Sequence, residues 1–71
     1  GGTAPTILNA ANEIVVNSFL KKRIKFFNMV EIIEEVLSTI DVIQNINLDS
    51  VMIADKNARK LTKSIIKDLS L

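Results

Sequence analysis

The chain has 71 residues, nine Lys and Arg against eight Asp and Glu, no His and no Cys; 48% of it is hydrophobic but only 4% aromatic. A net charge of +1 lacks the basic excess with which nucleic-acid binders neutralise phosphates, and without histidine the commonest neutral-pH proton shuttle and metal ligand is missing. With two glycines and one proline, the chain reads as an all-α domain near the lower size limit for independent folding, with no disulfide to support a small core.

The first helix is expected to take Thr3 as N-cap and to carry Ala4 and Pro5 in its opening turn, where a missing N–H costs little. It should run to about Lys22, so that Lys21, Lys22 and Arg23 complement the helix dipole at its carboxyl end. Ile7, Ala11, Ile14, Val15, Phe19 and the small Ser18 share one apolar face, while Val16 and Leu20 fall outside it beside Asn9 and Glu13.

Ile24 to Phe27 reads as a linker whose aromatics precede a new helix start, as a hydrophobic staple does. Asn28 and Glu31 have the spacing of a capping box, with Asn28 as N-cap and Glu31 reaching back to its amide. The helix that follows puts Met29, Val30, Ile33, Val36, Leu37 and Ile40 on one face, Ile32 at its margin, and Glu31, Glu34, Glu35 and Ser38 opposite.

Periodicity is lost from Asp41 to Ser50, a connection whose Val42, Ile43, Ile46 and Leu48 are expected to cover the open end of the core. Val51, Ala54, Ala58, Leu61, Ile65 and Leu69 then recur at helical spacing, with Lys56, Lys60, Lys63 and Lys67 outside and Asp55 as a second N-cap. That predicts a short helical turn at about 48–54 and a helix at about 55–69. No internal repeat or interdomain linker interrupts the chain, so 1–71 is expected to be a single domain. It does not open on methionine, which suggests a fragment of a longer protein, and no apolar run has the length of a membrane span or the layout of a signal peptide. The absence of cysteine fits a reducing compartment.

The residues that carry chemistry elsewhere do not converge here. Glu31, Glu34 and Glu35 share the solvent side of an amphipathic helix, and no second segment offers ligands to complete a metal site. The lysine row lacks aromatics for base stacking and is accompanied by Asp55 and Asp68, so a solvated face outweighs an anionic partner. Gly1-Gly2 before a helix is a weak phosphate signal without a lysine at phosphate-loop spacing, and reads as a flexible lead-in. Asn9, Asn12 and Glu13 stand out, because polar groups beside apolar helix surface need partners if they become buried.

Gly1-Gly2-Thr3-Ala4-Pro5, Leu8-Asn9-Ala10-Ala11-Asn12-Glu13, then Val16, Phe19-Leu20, Ile24 and Phe26 resemble the opening of the C-terminal helical domain of the 1-deoxy-D-xylulose 5-phosphate reductoisomerase family. The resemblance continues through Ile33-Glu34-Glu35-Val36-Leu37 and Asp55-Lys56-Asn57-Ala58-Arg59, covering nearly the whole chain. Asn28 departs from it, where the family often has aspartate, and so does Met29, where a branched aliphatic is usual.

The periodicity gives a small bundle of three main helices plus a short turn, and the resemblance implies that it is part of an enzyme that converts 1-deoxy-D-xylulose 5-phosphate to 2-C-methyl-D-erythritol 4-phosphate in non-mevalonate isoprenoid synthesis. It further implies NADPH and a divalent cation, Mg or Mn, for the full-length enzyme, a homodimer, and a bacterial cytoplasmic or plastid-type location. The family's nucleotide, metal and substrate-phosphate residues lie upstream and none maps onto this chain. No catalytic, cofactor-binding or metal-binding residue is therefore expected within 1–71, nor a nucleic-acid or membrane partner.

The expected role is structural. Asn9, Asn12, Glu13, Val16 and Leu20 would contact the catalytic domains of the same polypeptide, while Ile33, Val36, Leu37, Ala58 and Leu61 form the domain's own core. On that division Leu37→Ala costs about 2 to 5 kcal/mol in the isolated domain, and Leu20→Ser costs little there. The alternative is a free-standing protein-interaction or DNA-binding module, supported by the basic outer stripe and the exposed apolar pair Val16 and Leu20.

Overall fold

The computed structural model describes residues 1–69; residues 70 and 71 of the expected single domain lie outside the described part. Three helices, α1 (Ala4–Leu20), α2 (Phe26–Thr39) and α3 (Leu48–Leu69), make up the described residues, with no strand among them. α1 packs against both of the others. The long dimension of 37 Å is close to the roughly 33 Å that a helix of α3's length spans at 1.5 Å per residue.

α1 buries Ile7, Ala10, Ala11, Val15 and Ser18, an i, i+3, i+4, i+8, i+11 stripe along one helix face. α3 answers with Ser50, Ala54, Ala58, Thr62 and Ile66. Alanines on both sides of this contact remove little volume from between the helices and allow close approach of the backbones. Thr62 disposes of its buried hydroxyl by donating to the Ala58 carbonyl at 2.6 Å, and no buried side-chain polar atom among the described residues is left without a partner.

α2 differs in rotation from the expected face. Ile32, placed at the margin, is 1% exposed and Val36 is fully buried, whereas Val30 is 58% exposed. Met29, Ile33, Leu37 and Ile40 pack on the core only in part, as do Leu61 and Ile65 of α3. The apolar arc of α2 is wider than the strip one neighbour can cover, and the seat on α1 selects Ile32 and Val36 from within it. Leu69, expected on the inner face of α3, is also half-exposed.

The ends of the helices obey local chemistry that the sequence shows only in part. α1 stops at Leu20 with Lys22 at a φ of 61°. The Arg23 N–H donates to the Ser18 carbonyl at 3.0 Å and the Lys22 N–H to the Phe19 carbonyl at 2.9 Å, a Schellman stop with lysine where glycine is usual. α2 begins two residues before the expected N-cap. Asn28 is its third residue, and its Oδ1 accepts the Lys25 backbone N–H at 2.8 Å. Glu31 accepts from the Asn28 side-chain amide at 3.3 Å rather than from an N-cap amide. Phe26 lies within the helix and meets Phe19 edge-on, ring centres 5.9 Å apart, closing the α1–α2 corner.

α3 is one uninterrupted helix, so the short turn at 48–54 is its first two turns and Asp55 is not a cap. Its start is fixed by a reciprocal pair. The Ser50 N–H donates to Asn47 Oδ1 at 2.8 Å, and the Asn47 N–H donates to Ser50 Oγ at 2.9 Å, a capping box built from asparagine and serine.

Thr3 precedes α1 but makes no side-chain cap there. It is fully buried; its carbonyl accepts the Ile7 N–H at 3.0 Å, and its other two polar groups serve the 40–47 connection, the N–H donating to the Ile43 carbonyl at 3.0 Å and the Oγ1 accepting the Ile43 N–H at 2.9 Å. Gly2 sits at φ +58°, and a Cβ on it would fall 2.4 Å from the Ile43 carbonyl oxygen. The glycine pair is therefore a close-packed junction and not a flexible lead-in. The connection does not cover the core with its side chains, since Val42, Ile43, Ile46 and Leu48 are all exposed; backbone hydrogen bonds hold it.

Two sets of substitutions check this account. Ile32→Ala is expected to cost about 2 to 5 kcal/mol in urea unfolding, and Leu37→Ala less, because the leucine is only partly buried against the core. Gly2→Ala is expected to cost about 1 to 3 kcal/mol through positive φ and the clash with Ile43, while Lys22→Gly should stabilise by about 0.5 to 1 kcal/mol by relieving a left-handed lysine.

Candidate functional site

α1 turns its unburied side to solvent as a ridge of Pro5, Leu8, Asn9, Asn12, Glu13 and Leu20, with Val16 half-buried along it. Seventeen residues of this helix contain one charge, Glu13. The other two helices do the opposite: α2 shows Glu31, Glu34 and Glu35, and α3 shows Lys56, Lys60, Lys63 and Lys67, all exposed as expected. A helix face that meets only water is ordinarily stocked with charge. The ridge instead alternates carboxamides with aliphatics, and Leu20 is 71% exposed.

Asn9 is shared by two concavities. One is a shallow notch on α1 lined by Pro5, Leu8, Asn9 and Asn12. The other is a groove between α1 and the first turns of α3, lined by Thr6 and Asn9 on one wall and Met52, Ile53, Asp55 and Lys56 among those on the other. The ridge is thus continuous with the exposed apolar start of α3.

Glu13 is the ridge residue whose chemistry is already committed inside the domain. Its carboxylate accepts from Arg59 Nη2 at 3.0 Å, and Arg59 Nε donates to Asp55 at 2.9 Å, an i, i+4 pair on α3. This clip ties α1 to α3 at the surface. The hydrogen bond from Arg59, and then its charge, hold the Glu13 carboxyl below its ordinary 4.5, against smaller opposition from desolvation and Asp55. The guanidinium is shifted upward by the same bonds, Glu13 first and Asp55 second. Sequence reading missed Arg59 as Glu13's partner, though its spacing from Asp55 was legible; the pairing with Glu13 spans 46 positions.

Among the described residues no three acidic, histidine or cysteine side chains are grouped to hold a metal. Glu13 and Asp55 are bridged by a guanidinium, and Glu31, Glu34 and Glu35 are splayed on a convex helix face. Nor is any helix among the described residues long and apolar enough to cross a membrane.

Residues 1–61 match the family described as the DXP reductoisomerase C-terminal domain. Among curated relatives, 1-deoxy-D-xylulose 5-phosphate reductoisomerase of Pseudomonas putida (strain W619) is 42% identical over 67 residues, covering 94% of this chain and 17% of the relative. The protein of the same name from Listeria innocua serovar 6a is 39% identical over 66 residues, 93% of this chain and 17% of its own length. That of Pseudomonas aeruginosa (strain UCBPP-PA14) is 48% identical over 61 residues, 86% and 15%. The chain therefore spans about one sixth of the length of the curated relatives it matches.

The ion pair yields a pH-dependent signature. Because the Glu13 pKa is lower folded than unfolded, its stabilisation is complete above the ordinary 4.5 and is lost as the pH falls through the lowered folded value. The difference in urea midpoint between the wild type and Glu13→Gln should be present at pH 7, close as the solution is acidified below that range, and shrink in high salt.

Proposed function

Because this chain belongs to the DXP reductoisomerase C-terminal domain family, we propose that it is the helical C-terminal portion of an enzyme that rearranges and reduces 1-deoxy-D-xylulose 5-phosphate to 2-C-methyl-D-erythritol 4-phosphate. That reaction belongs to the non-mevalonate route to isoprenoids and draws on NADPH and a divalent cation, Mg or Mn. The full-length protein on this reading is a homodimer, in bacterial cytoplasm or a plastid-type organelle. The nucleotide, metal and substrate groups belong to the remaining five-sixths of the polypeptide. These 71 residues are a supporting domain.

The observation that carries the supporting role is the nearly uncharged outer ridge of α1, set against the charged outer faces of α2 and α3. Asn9, Asn12, Val16 and Leu20 form the contact with the catalytic part, the aliphatics supplying burial and the carboxamides pairing with its polar groups so that neither is stranded. Glu13 contributes by holding α1 to α3 through Arg59, which keeps the ridge in a fixed orientation. Rigid support of this kind acts on catalysis through geometry, since small displacements of reacting groups are costly in rate.

An antibody raised against this 7.9 kDa chain should detect a band several times heavier in source cells; a band near the mass of the chain itself would overturn the reading. In the full-length enzyme, Leu20→Ser is expected to lower the thermal midpoint and kcat while leaving the KM for NADPH unchanged. Loss of NADPH affinity alone would sink the supporting role.

A further inference from the structure

We propose that the 40–47 connection, with the first turns of α3 beside it, is the seat of the polypeptide preceding Gly1, and that the Gly2–Thr3 junction is joined to that connection so as to fix the direction from which the preceding polypeptide arrives. The inference rests on the reading that this chain is one portion of a longer reductoisomerase.

Three observations converge. Val42, Ile43, Ile46 and Leu48 are 36%, 44%, 56% and 75% exposed, and Met52 and Ile53 beside them on α3 are 60% and 54% exposed. These six large apolar side chains are exposed within twelve positions, interleaved with exposed Gln44, Asn45, Asn47 and Asp49, a mixture of apolar and polar groups such as contact surfaces carry.

The second observation is that this apolar segment is held rigid without burying its side chains. Ile43 is bonded through both its backbone groups to the buried Thr3, Gly2 lies so close that no Cβ fits against the Ile43 carbonyl, and the far end is closed by the Asn47–Ser50 box. A preorganised backbone displays its aliphatics at a low ordering cost on contact, which is what a docking surface requires.

Connectivity supplies the occupant. Gly1 lies against Gln44, close enough that a Cβ on it would be 3.6 Å from that side chain's oxygen. Any residue bonded to the Gly1 nitrogen therefore starts within a few ångströms of the connection, at a high effective concentration. The relatives are about six times as long as this chain, so an ample partner is tethered there. The competing apolar corner of Leu20, Phe26, Phe27 and Val30 lies at the opposite end of α1, about 25 Å away at helical rise.

The test uses the full-length protein with single cysteines introduced as Val42→Cys, Ile46→Cys, Leu20→Cys and Lys60→Cys, and reads maleimide labelling of each tryptic peptide by mass. Labelling at positions 42 and 46 is expected to be slower by about tenfold or more than at position 60, because covered thiols react slowly, and to remain slow on dilution. Equal rates at 42, 46 and 60 overturn the proposal, and so does protection that disappears on dilution, which would assign the surface to a second copy. Position 20 separates the two readings. Slow labelling there with a fast connection leaves the α1 ridge as the contact and removes this seat, whereas the reverse keeps the seat and removes the ridge.

Discussion

Everything in this small bundle depends on α1 burying one side against two other helices at once. No disulfide supports the fold, and a chain of this size removes only a modest share of its surface from water. The core is therefore concentrated on one strip of one helix, where Ile7, Ala10, Ala11 and Val15 are wholly buried. α2 contributes Ile32 and Val36 to it and α3 contributes Ala54, Ala58 and Ile66. With the inner strip committed, the outer side of α1 is the one surface of the helix left to meet anything else.

The remaining devices hold α2 and α3 in register with that helix. Phe19 on Phe26 closes one corner, and the Schellman stop through Lys22 turns the chain tightly enough for α2 to fold back. At the opposite end Thr3 gives its N–H and hydroxyl to Ile43 in place of a side-chain cap on its own helix. The Glu13–Arg59–Asp55 clip adds a surface tie between α1 and α3 that is screened by solvent and contributes more to orientation than to stability. These ties leave the α1 ridge, with Asn9, Asn12 and Leu20, and the aliphatics of the 40–47 connection exposed.

The helices, their order and most of the inner face of α1 were legible because helical periodicity is written residue by residue, whereas on α3 only Ala54 and Ala58 of the expected face are buried. Thr3 before Ala4 and Pro5 marked the start of α1, and the lysine row of α3 lies outside as expected. The family was legible too, through Asn9-Ala10-Ala11-Asn12-Glu13 and its flanks. Less legible was the rotation of α2, since its apolar arc admits several seats and only the shape of α1 chooses Ile32 over Val30. The continuity of α3 past Asp55 was hidden because aspartate serves equally as a cap and as an i, i+4 partner, and Arg59 decides between them.

The sequence by itself determined an all-α class, three main helical segments, the family, and the lone charge Glu13 within α1, all of which depend on residues near one another in the chain. Only the tertiary structure decided that Thr3 pairs with Ile43 across 40 positions, that Glu13 meets Arg59, and that the aliphatics of the 40–47 connection are exposed. Those outcomes turn on which distant backbone and side-chain groups the packing of α1 brings within hydrogen-bonding reach. No local pattern encodes that distance.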